Sequence, residues 1–129
     1  RIGATTDSSP RKWSAAILAP SGAIYGVPFS ASAVLRVDTF SDEVRLLGSL
    51  GPACCKWRHA VVSGDRIYGI PFAATGVLKV SLVTESVEVI GNLPEGPSKW
   101  SEGIVAAGSG NIYAVPYSAR AVLKVGGIT

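Results

Sequence analysis

The sequence predicts an all-β protein built from repeated antiparallel sheets, and three features of its 129 residues support that prediction. Glycine and proline, present 15 and 8 times, are spread along the chain and interrupt any long helix. Between them lie runs of about five residues rich in Val, Ile, Leu and Tyr, which is the composition of short strands. One set of these runs occurs three times at spacings of 43 to 45 residues.

The composition excludes several other classes of protein. Hydrophobic residues make up 47% of the chain and charged residues 16%, which favours a packed core over disorder or a nucleic-acid-binding arm. The formal net charge of +3 is also too small to indicate nucleic acid as a partner. Every unbroken apolar stretch is far shorter than the roughly 20 residues of a membrane-spanning helix. We therefore expect a single folded domain over residues 1–129, with neither a nucleic-acid partner nor a membrane span.

Four sequence blocks define the repeat and predict four strands, A to D. Strand A follows a Lys-Trp pair, strand B contains Ile-Tyr and ends in Pro-Phe or Pro-Tyr, strand C is a Val-Leu run, and strand D ends in Gly. The A blocks begin at Lys12-Trp13, Lys56-Trp57 and Lys99-Trp100; the B blocks are Ile24–Phe29, Ile67–Phe72 and Ile112–Tyr117; the C blocks are Ala33–Val37, Gly76–Val80 and Ala121–Val125; the D blocks are Glu43–Gly48 and Ser86–Gly91. The repeats cover about 12–55, 56–98 and 99–129, and 1–11 is the tail of a preceding outer strand plus a loop.

The connections and the period predict the architecture. Each A–B connection contains Gly with Ser, Asp or Asn, at 20–22, 63–65 and 109–111, so A and B should form a hairpin. A four-stranded antiparallel meander that repeats every 40 to 50 residues is typical of a β-propeller blade. Helical repeats of similar period are excluded, because no segment has helical periodicity and Pro28, Pro71 and Pro116 interrupt the place of a second helix. We expect about three four-stranded blades that form part of a larger propeller.

Both ends of the sequence fall inside a predicted blade. Ile2-Gly3 matches the end of a D strand, and strand C of the third repeat ends at Val125 with no D block after it. The first residues could complete the last sheet and close a ring, or the chain could be part of a longer propeller. Propellers usually have four to eight blades, so we favour a longer chain or an assembly of copies, of which two would give six blades. We therefore expect residues 1–129 alone to be unstable as a monomer.

The repeated motifs should converge on one face and form a candidate binding rim. Lys-Trp ends the D–A connection and Pro-Phe or Pro-Tyr begins the B–C connection, and both connections emerge on the same face of a propeller. The candidate binding residues are Lys12, Trp13, Lys56, Trp57, Lys99, Trp100, Phe29, Phe72 and Tyr117. Cations and aromatic rings suit sugars, anions or a flat protein surface. For the tryptophans we favour packing between adjacent sheets instead. For the lysines two interpretations remain open. They could bind a partner, or they could extend along such a wedge with the ammonium group in water.

Residues suited to catalysis show no repeated pattern. The acidic residues Asp38, Asp42, Glu43, Glu85 and Glu88 fall in C–D turns and outer strands. Only Glu102, Asp65 and the sole histidine, His59, could face a central channel, and no second acid or nucleophile recurs beside them. No metal-ligand spacing or phosphate loop is present. We expect no catalytic residues, no metal and no cofactor.

The two cysteines, Cys54 and Cys55, are adjacent in a D–A connection. A disulfide between neighbours closes a strained ring, so we expect two free thiols.

The strings Lys-Trp, Ile-Tyr-Gly-Ile-Pro-Phe and Val-Leu-Lys-Val resemble a propeller-type repeat of predicted algal and protist proteins. The resemblance covers residues 12–125, in which Asp38 keeps the Asp that follows strand C, whereas Ser81 and Gly126 replace it. Kelch and WD blades are similar only in period, because their Gly-Gly pair and Trp-Asp ending are missing. The resemblance implies a propeller fold, no catalytic assignment, and the role of an accessory subunit on a large organellar assembly.

These observations favour a non-catalytic propeller scaffold or interaction module, whose partner is another protein chain or further blades of the same polypeptide. A carbohydrate-binding propeller with one pocket per blade is the alternative, and it requires exposed tryptophan rings. A lactonase-like hydrolase that uses Glu102 or His59 is the least favoured interpretation.

Overall fold

The computed structural model describes residues 11–126, and within them the chain is all-β. Eleven strands form three antiparallel sheets. Sheet 1 contains β1 (Trp13–Leu18), β2 (Ala23–Pro28), β3 (Val34–Asp38) and β4 (Val44–Leu47); sheet 2 contains β5 (Trp57–Ser63), β6 (Arg66–Pro71), β7 (Val77–Ser81) and β8 (Val87–Ile90); sheet 3 contains β9 (Trp100–Val105), β10 (Ile112–Pro116) and β11 (Leu123–Val125). The strand expected at Ile2-Gly3 lies outside the described residues.

Each sheet is a meander in which sequential strands are neighbours. The predicted A, B, C and D strands form in sheets 1 and 2, and A, B and C form in sheet 3, so the prediction of repeated antiparallel sheets is confirmed. The A–B hairpins are confirmed as well, and each has a left-handed glycine in its turn, at Gly22, Gly64 and Gly110. The C–D turns repeat a second left-handed position, with a φ of 61° at both Asp42 and Glu85.

A β-bulge follows the tryptophan in every repeat. Trp57 pairs with Pro71, but the next pair joins His59 to Ile70, so Arg58 is the extra residue. The same shift occurs at Ser14 in β1 and at Ser101 in β9. A bulge turns the strand and redirects the side chain at that position. This bulge was not predictable from the sequence, because a bulge depends on how two strands pair.

Two apolar cores fill the spaces between the sheets. The first joins sheets 1 and 2 through Tyr25 and Val27 on one side and Trp57 and Leu78 on the other. The second joins sheets 2 and 3 in the same way, with Tyr68, Ile70 and Val77 facing Trp100 and Ile112. The main contacts between sheets join their first strands, β1 with β5 and β5 with β9.

The tryptophans of sheets 2 and 3 are wedges in these cores, as expected. Trp57 and Trp100 are only 2% and 5% exposed, whereas Trp13 is half-buried. The indole N–H of each donates to a carbonyl oxygen near the start of the third strand of its own sheet, at Ala33, Gly76 and Ala121 respectively.

The glycine of the Ile-Tyr-Gly motif makes room for the tryptophan ring. A Cβ atom at Gly69 would lie 3.2 Å from Cγ of Trp57 and 2.9 Å from Cβ of Leu78. Both distances are shorter than ordinary van der Waals contact. The third repeat has Ala114 at this position, and that residue of β10 is fully buried.

Truncation of Trp57 tests the wedge. We expect Trp57→Ala to lower the free energy of unfolding by about 3–5 kcal/mol, because it leaves a cavity between sheets 1 and 2 and removes an indole hydrogen bond. Denaturant unfolding followed by circular dichroism measures the change. The exposed Val83→Ala is the control and should stay within about 0.5 kcal/mol of the parent chain. Equal stabilities for the two variants would contradict a wedge role for Trp57.

Candidate functional site

Main-chain hydrogen bonds between the repeated lysines and aromatic residues run across all three repeats. We call this series the Lys–aromatic belt. Its bonds are Phe29 N–H to Lys12 O at 2.8 Å, Lys56 N–H to Phe29 O at 2.9 Å, Phe72 N–H to Lys56 O at 2.9 Å, Lys99 N–H to Phe72 O at 2.7 Å, and Tyr117 N–H to Lys99 O at 2.8 Å. Bonds within one repeat alternate with bonds between repeats. The belt therefore places the Lys-Trp and Pro-Phe motifs at one end of the sheets, as expected.

The aromatic side chains of the belt form a row. The ring centroids of Phe29 and Phe72 are 6.0 Å apart, and those of Phe72 and Tyr117 are 6.4 Å apart. Guanidinium groups lie over two of the rings, with Arg11 5.6 Å from the centroid of Phe29 and Arg58 5.3 Å from that of Phe72. Arg58 is the bulge residue of β5. We call the row and its two arginines the Arg–aromatic end.

Exposure increases along this row. Phe29 is buried, Phe72 is half-buried, and Tyr117 is 71% exposed. Both arginines are exposed. The Arg–aromatic end therefore presents two guanidinium groups and a tyrosine to solvent, which are residue types enriched at protein interfaces.

The repeated lysines of the second and third repeats are structural. Lys56 and Lys99 are each 5% exposed, so of the two alternatives left open for the lysines, the one with the ammonium in water is wrong at these positions. The Nζ atom of Lys56 donates to the carbonyl oxygens of Gly51 at 3.1 Å and Ala53 at 2.5 Å. That of Lys99 donates to Gly96 at 2.8 Å and to Ala73, in the preceding repeat, at 3.1 Å. Lys12 is half-buried at the equivalent position.

Burial acts on the charge of both lysines. It lowers the pKa of Lys56, and it lowers the pKa of Lys99 although the nearby Glu95 opposes the change. A buried ammonium group is costly unless it is hydrogen-bonded. The carbonyl contacts of each lysine offset this cost, and they also hold the loop before each tryptophan in place. These two lysines are therefore occupied within the fold and are not displayed on a binding rim.

The tryptophans are likewise unsuited to stack on a ligand. A sugar ring needs an exposed aromatic face, and the rings of Trp57 and Trp100 are enclosed between sheets. Of the nine candidate binding residues, Tyr117 is the one with a largely exposed aromatic ring. The buried rings remove the anchor on which the carbohydrate-binding alternative depends in the second and third repeats.

A charged cluster that sequence reasoning missed joins sheets 1 and 2. The carboxylate of Glu85, in the β7–β8 turn, accepts a hydrogen bond from the Tyr25 hydroxyl at 3.0 Å and one from Arg45 Nη2 at 3.1 Å. It also forms an ion pair with Arg36. The guanidinium of Arg36 lies over the Tyr25 ring at 5.9 Å from its centroid. The sequence places Glu85 in a turn, but its partners are 40 or more residues away and meet it only through sheet packing.

The cluster changes the pKa of its members. Burial raises the pKa of Tyr25. For Glu85, burial acts to raise the pKa, but hydrogen bonds from Tyr25 and Arg45 and the charges of Arg36 and Arg45 together bring it below its ordinary value. Glu85 is therefore an ionised link between the two sheets.

The three residues that could face a central channel lie on different elements. His59 on β5 is half-buried and Glu102 on β9 is exposed, at equivalent positions of neighbouring first strands. Asp65 lies in the β5–β6 turn, where it is 4.0 Å from Arg66. Across residues 11–126, no three His, Cys, Asp or Glu side chains are placed to hold a metal ion. The same residues contain no helix long and apolar enough to cross a membrane.

The adjacent cysteines form a disulfide, so the expectation of two free thiols is wrong. Cys55 has a φ of 69°, and this left-handed backbone brings the two sulfur atoms of neighbouring residues together. Arg11 and Ser98, which also precede the belt lysines, share this conformation. The positive φ therefore belongs to the repeat, and the cysteines make use of it.

A cavity of about 550 Å³ lies along the edge of sheet 3. It is bounded by the loop at 93–97, by Trp100 and by the β10–β11 connection. In the other sheets, Val34 and Val77 pair with fourth-strand residues at the corresponding edge, whereas Val122 borders this cavity. The cavity therefore occupies the position that a fourth strand fills in sheets 1 and 2.

Comparison with protein-family models, curated proteins and solved structures found no significant match to the chain.

The Glu85 cluster generates a prediction about acid. Because the pKa of Glu85 in the folded chain lies below its ordinary value of 4.5, its carboxylate stabilises the fold above that value. The contribution is lost as the pH falls through the lowered pKa. We expect Glu85→Gln to be less stable than the parent chain near pH 7 and to lose less additional stability between about pH 5 and about pH 3.

Urea unfolding at a series of pH values measures both effects. Glu88→Gln, at an exposed position of β8, is the matched control and should follow the parent profile. If Glu85→Gln and the parent chain lose stability equally over the acid range, the assignment of an ionised Glu85 link is refuted.

Proposed function

We propose that the chain is a segment of a β-propeller that acts as a non-catalytic scaffold and binds a partner protein through its Arg–aromatic end. The propeller interpretation is supported by three successive meanders packed face to face, with their first strands closest to one another. Blades of a propeller pack on one another in the same order around its axis.

The observation that carries the functional proposal is how the repeated residues are used. Lys56, Lys99, Trp57 and Trp100 are buried and bonded within the fold. At the Arg–aromatic end, by contrast, Arg11, Arg58 and Tyr117 are exposed, and the two guanidinium groups lie over aromatic rings. A repeated scaffold with one solvent-facing aromatic edge suits recognition of a surface better than a chemical reaction, which needs converging polar groups.

The chemistry of the Arg–aromatic end favours a protein partner with carboxylates around an apolar patch. Arg11 and Arg58 hold their planar groups over aromatic rings, which leaves guanidinium N–H groups available for carboxylates. Tyr117 supplies an amphipathic ring beside them. The resemblance to algal and protist repeats supports an accessory subunit of a large organellar assembly as the setting for this contact.

A binding experiment with the double variant Arg58→Ser/Tyr117→Ser tests this proposal. The tagged chain is incubated with an extract of the organism that encodes it, and retained proteins are quantified. We expect a protein retained by the parent chain to fall about tenfold or more with the double variant, because both exposed anchors are removed. Circular dichroism verifies that the variant is folded.

The matched control is Phe40→Ser, which removes an 86% exposed ring from the β3–β4 turn at the opposite end of the sheets. It should retain the partner as the parent chain does. Equal retention by all three proteins, or no specific retention by any of them, would show that the Arg–aromatic end is not an interaction surface.

A further inference from the structure

Among residues 11–126, no further sheet packs on the outer faces of sheets 1 and 3, although both faces are built like interfaces. The open face of sheet 3 carries Tyr113, Val115 and Val122, and the open face of sheet 1 carries Trp13, Ala16, Ile24, Leu35 and Val37. Each of these residues has a counterpart, at the same position of another repeat, that is buried against a neighbouring sheet.

The comparison is clearest for sheet 3. Val115 is 63% exposed, whereas the equivalent Ile70 is fully buried against sheet 3. Val122 is 59% exposed, whereas the equivalent Val77 is 4% exposed. Tyr113 is also exposed, although Tyr25 and Tyr68 are buried. Apolar residues are therefore present on the open face of sheet 3 at the positions where the other sheets bind their successor.

Sheet 1 has the complementary face. Trp57, Ala60 and Leu78 of sheet 2 are buried against sheet 1. Their equivalents on the open face of sheet 1 are all partly or fully exposed. The two internal contacts thus follow one pattern, in which the tyrosine-bearing face of one sheet packs against the tryptophan-bearing face of the next.

Charge supports the same pairing. The Tyr25 and Arg36 pair of sheet 1 receives Glu85, from the turn between the third and fourth strands of the next sheet. Tyr113 and Lys124 are the equivalent pair on sheet 3, with the Lys124 ammonium 5.9 Å from the ring centroid. The residue equivalent to Glu85 in sheet 1 is Asp42, which has the same left-handed backbone and is exposed. A second copy placed with its sheet 1 against sheet 3 therefore brings an aspartate to Lys124.

The belt allows the same continuation. Phe29 and Phe72 each accept, at their carbonyl oxygen, the N–H of the lysine that begins the following sheet. The described residues supply no such donor to the carbonyl oxygen of Tyr117.

We infer that the open face of sheet 3 binds the open face of sheet 1 of a second copy, so that two chains join head to tail and, through both pairs of faces, enclose six sheets. Contacts between different faces close into a ring when the rotation permits, and six sheets fall within the four to eight that propellers use. This inference rests on the packing of the repeats and not on a partner at the Arg–aromatic end. It can fail while the proposed function holds.

Sedimentation of the purified 129-residue chain over a range of concentrations tests the inference. We expect a species of two chains, and Val115→Glu should weaken its association about tenfold or more, because a carboxylate would be buried among apolar residues. Val83→Glu is the matched control at an exposed turn of sheet 2 and should associate like the parent chain. Circular dichroism verifies that both variants are folded.

A charge exchange identifies the paired faces. Lys124→Glu should weaken association, because it sets a carboxylate against Asp42, and the double variant Lys124→Glu/Asp42→Lys should recover most of the loss. A folded monomer at all concentrations would overturn the inference. Association that is indifferent to Val115→Glu, or that the double variant fails to recover, would also overturn it.

Discussion

The Lys–aromatic belt is the interaction on which the arrangement of the sheets depends. A single meander has two faces and cannot bury both, so it needs a neighbour at a fixed distance and angle. The N–H groups of Lys56 and Lys99 provide this link, since each donates to the aromatic residue that begins the B–C connection of the preceding repeat. Because the same two residues also bond within their own repeats, the position of each sheet is transmitted along the belt to the next.

The repeated lysines and tryptophans stabilise the segments that form this belt. Lys56 and Lys99 use buried ammonium groups to hold the loops that lead into the belt, and the tryptophan that follows each of them enters the core beside it. The bulge after the tryptophan then directs Arg58 back over Phe72. Packing and surface display are therefore coupled: the residues that fix the sheets also determine which aromatic and cationic groups reach solvent.

The strands could be predicted from the sequence, but the contacts between sheets could not. The spacing of Trp13, Trp57 and Trp100 predicted the meanders, because strand boundaries follow local alternation of apolar runs and turn residues. Burial of the lysine ammonium groups was not predictable, since nothing local distinguishes a lysine bound to carbonyl oxygens from one in water. The Glu85 cluster also depends on two sheets meeting, and the disulfide depends on the left-handed backbone at Cys55. At Ser81, by contrast, a difference in sequence does not change the local structure. Ser81 replaces the Asp that follows strand C, but its hydroxyl accepts the turn N–H groups of Val83 and Thr84, as the Asp38 carboxylate accepts those of Phe40 and Ser41.

Amide hydrogen exchange under native conditions is the most direct test of the belt. The N–H groups of Lys56 and Lys99 precede the first strands of their sheets, so sequence position alone would give them the fast exchange of a connecting loop. If the belt holds the sheets together, both should exchange as slowly as core amides such as that of Ile67, through global unfolding only. Exchange of both at the rate of an exposed turn amide such as that of Val83 would contradict the account.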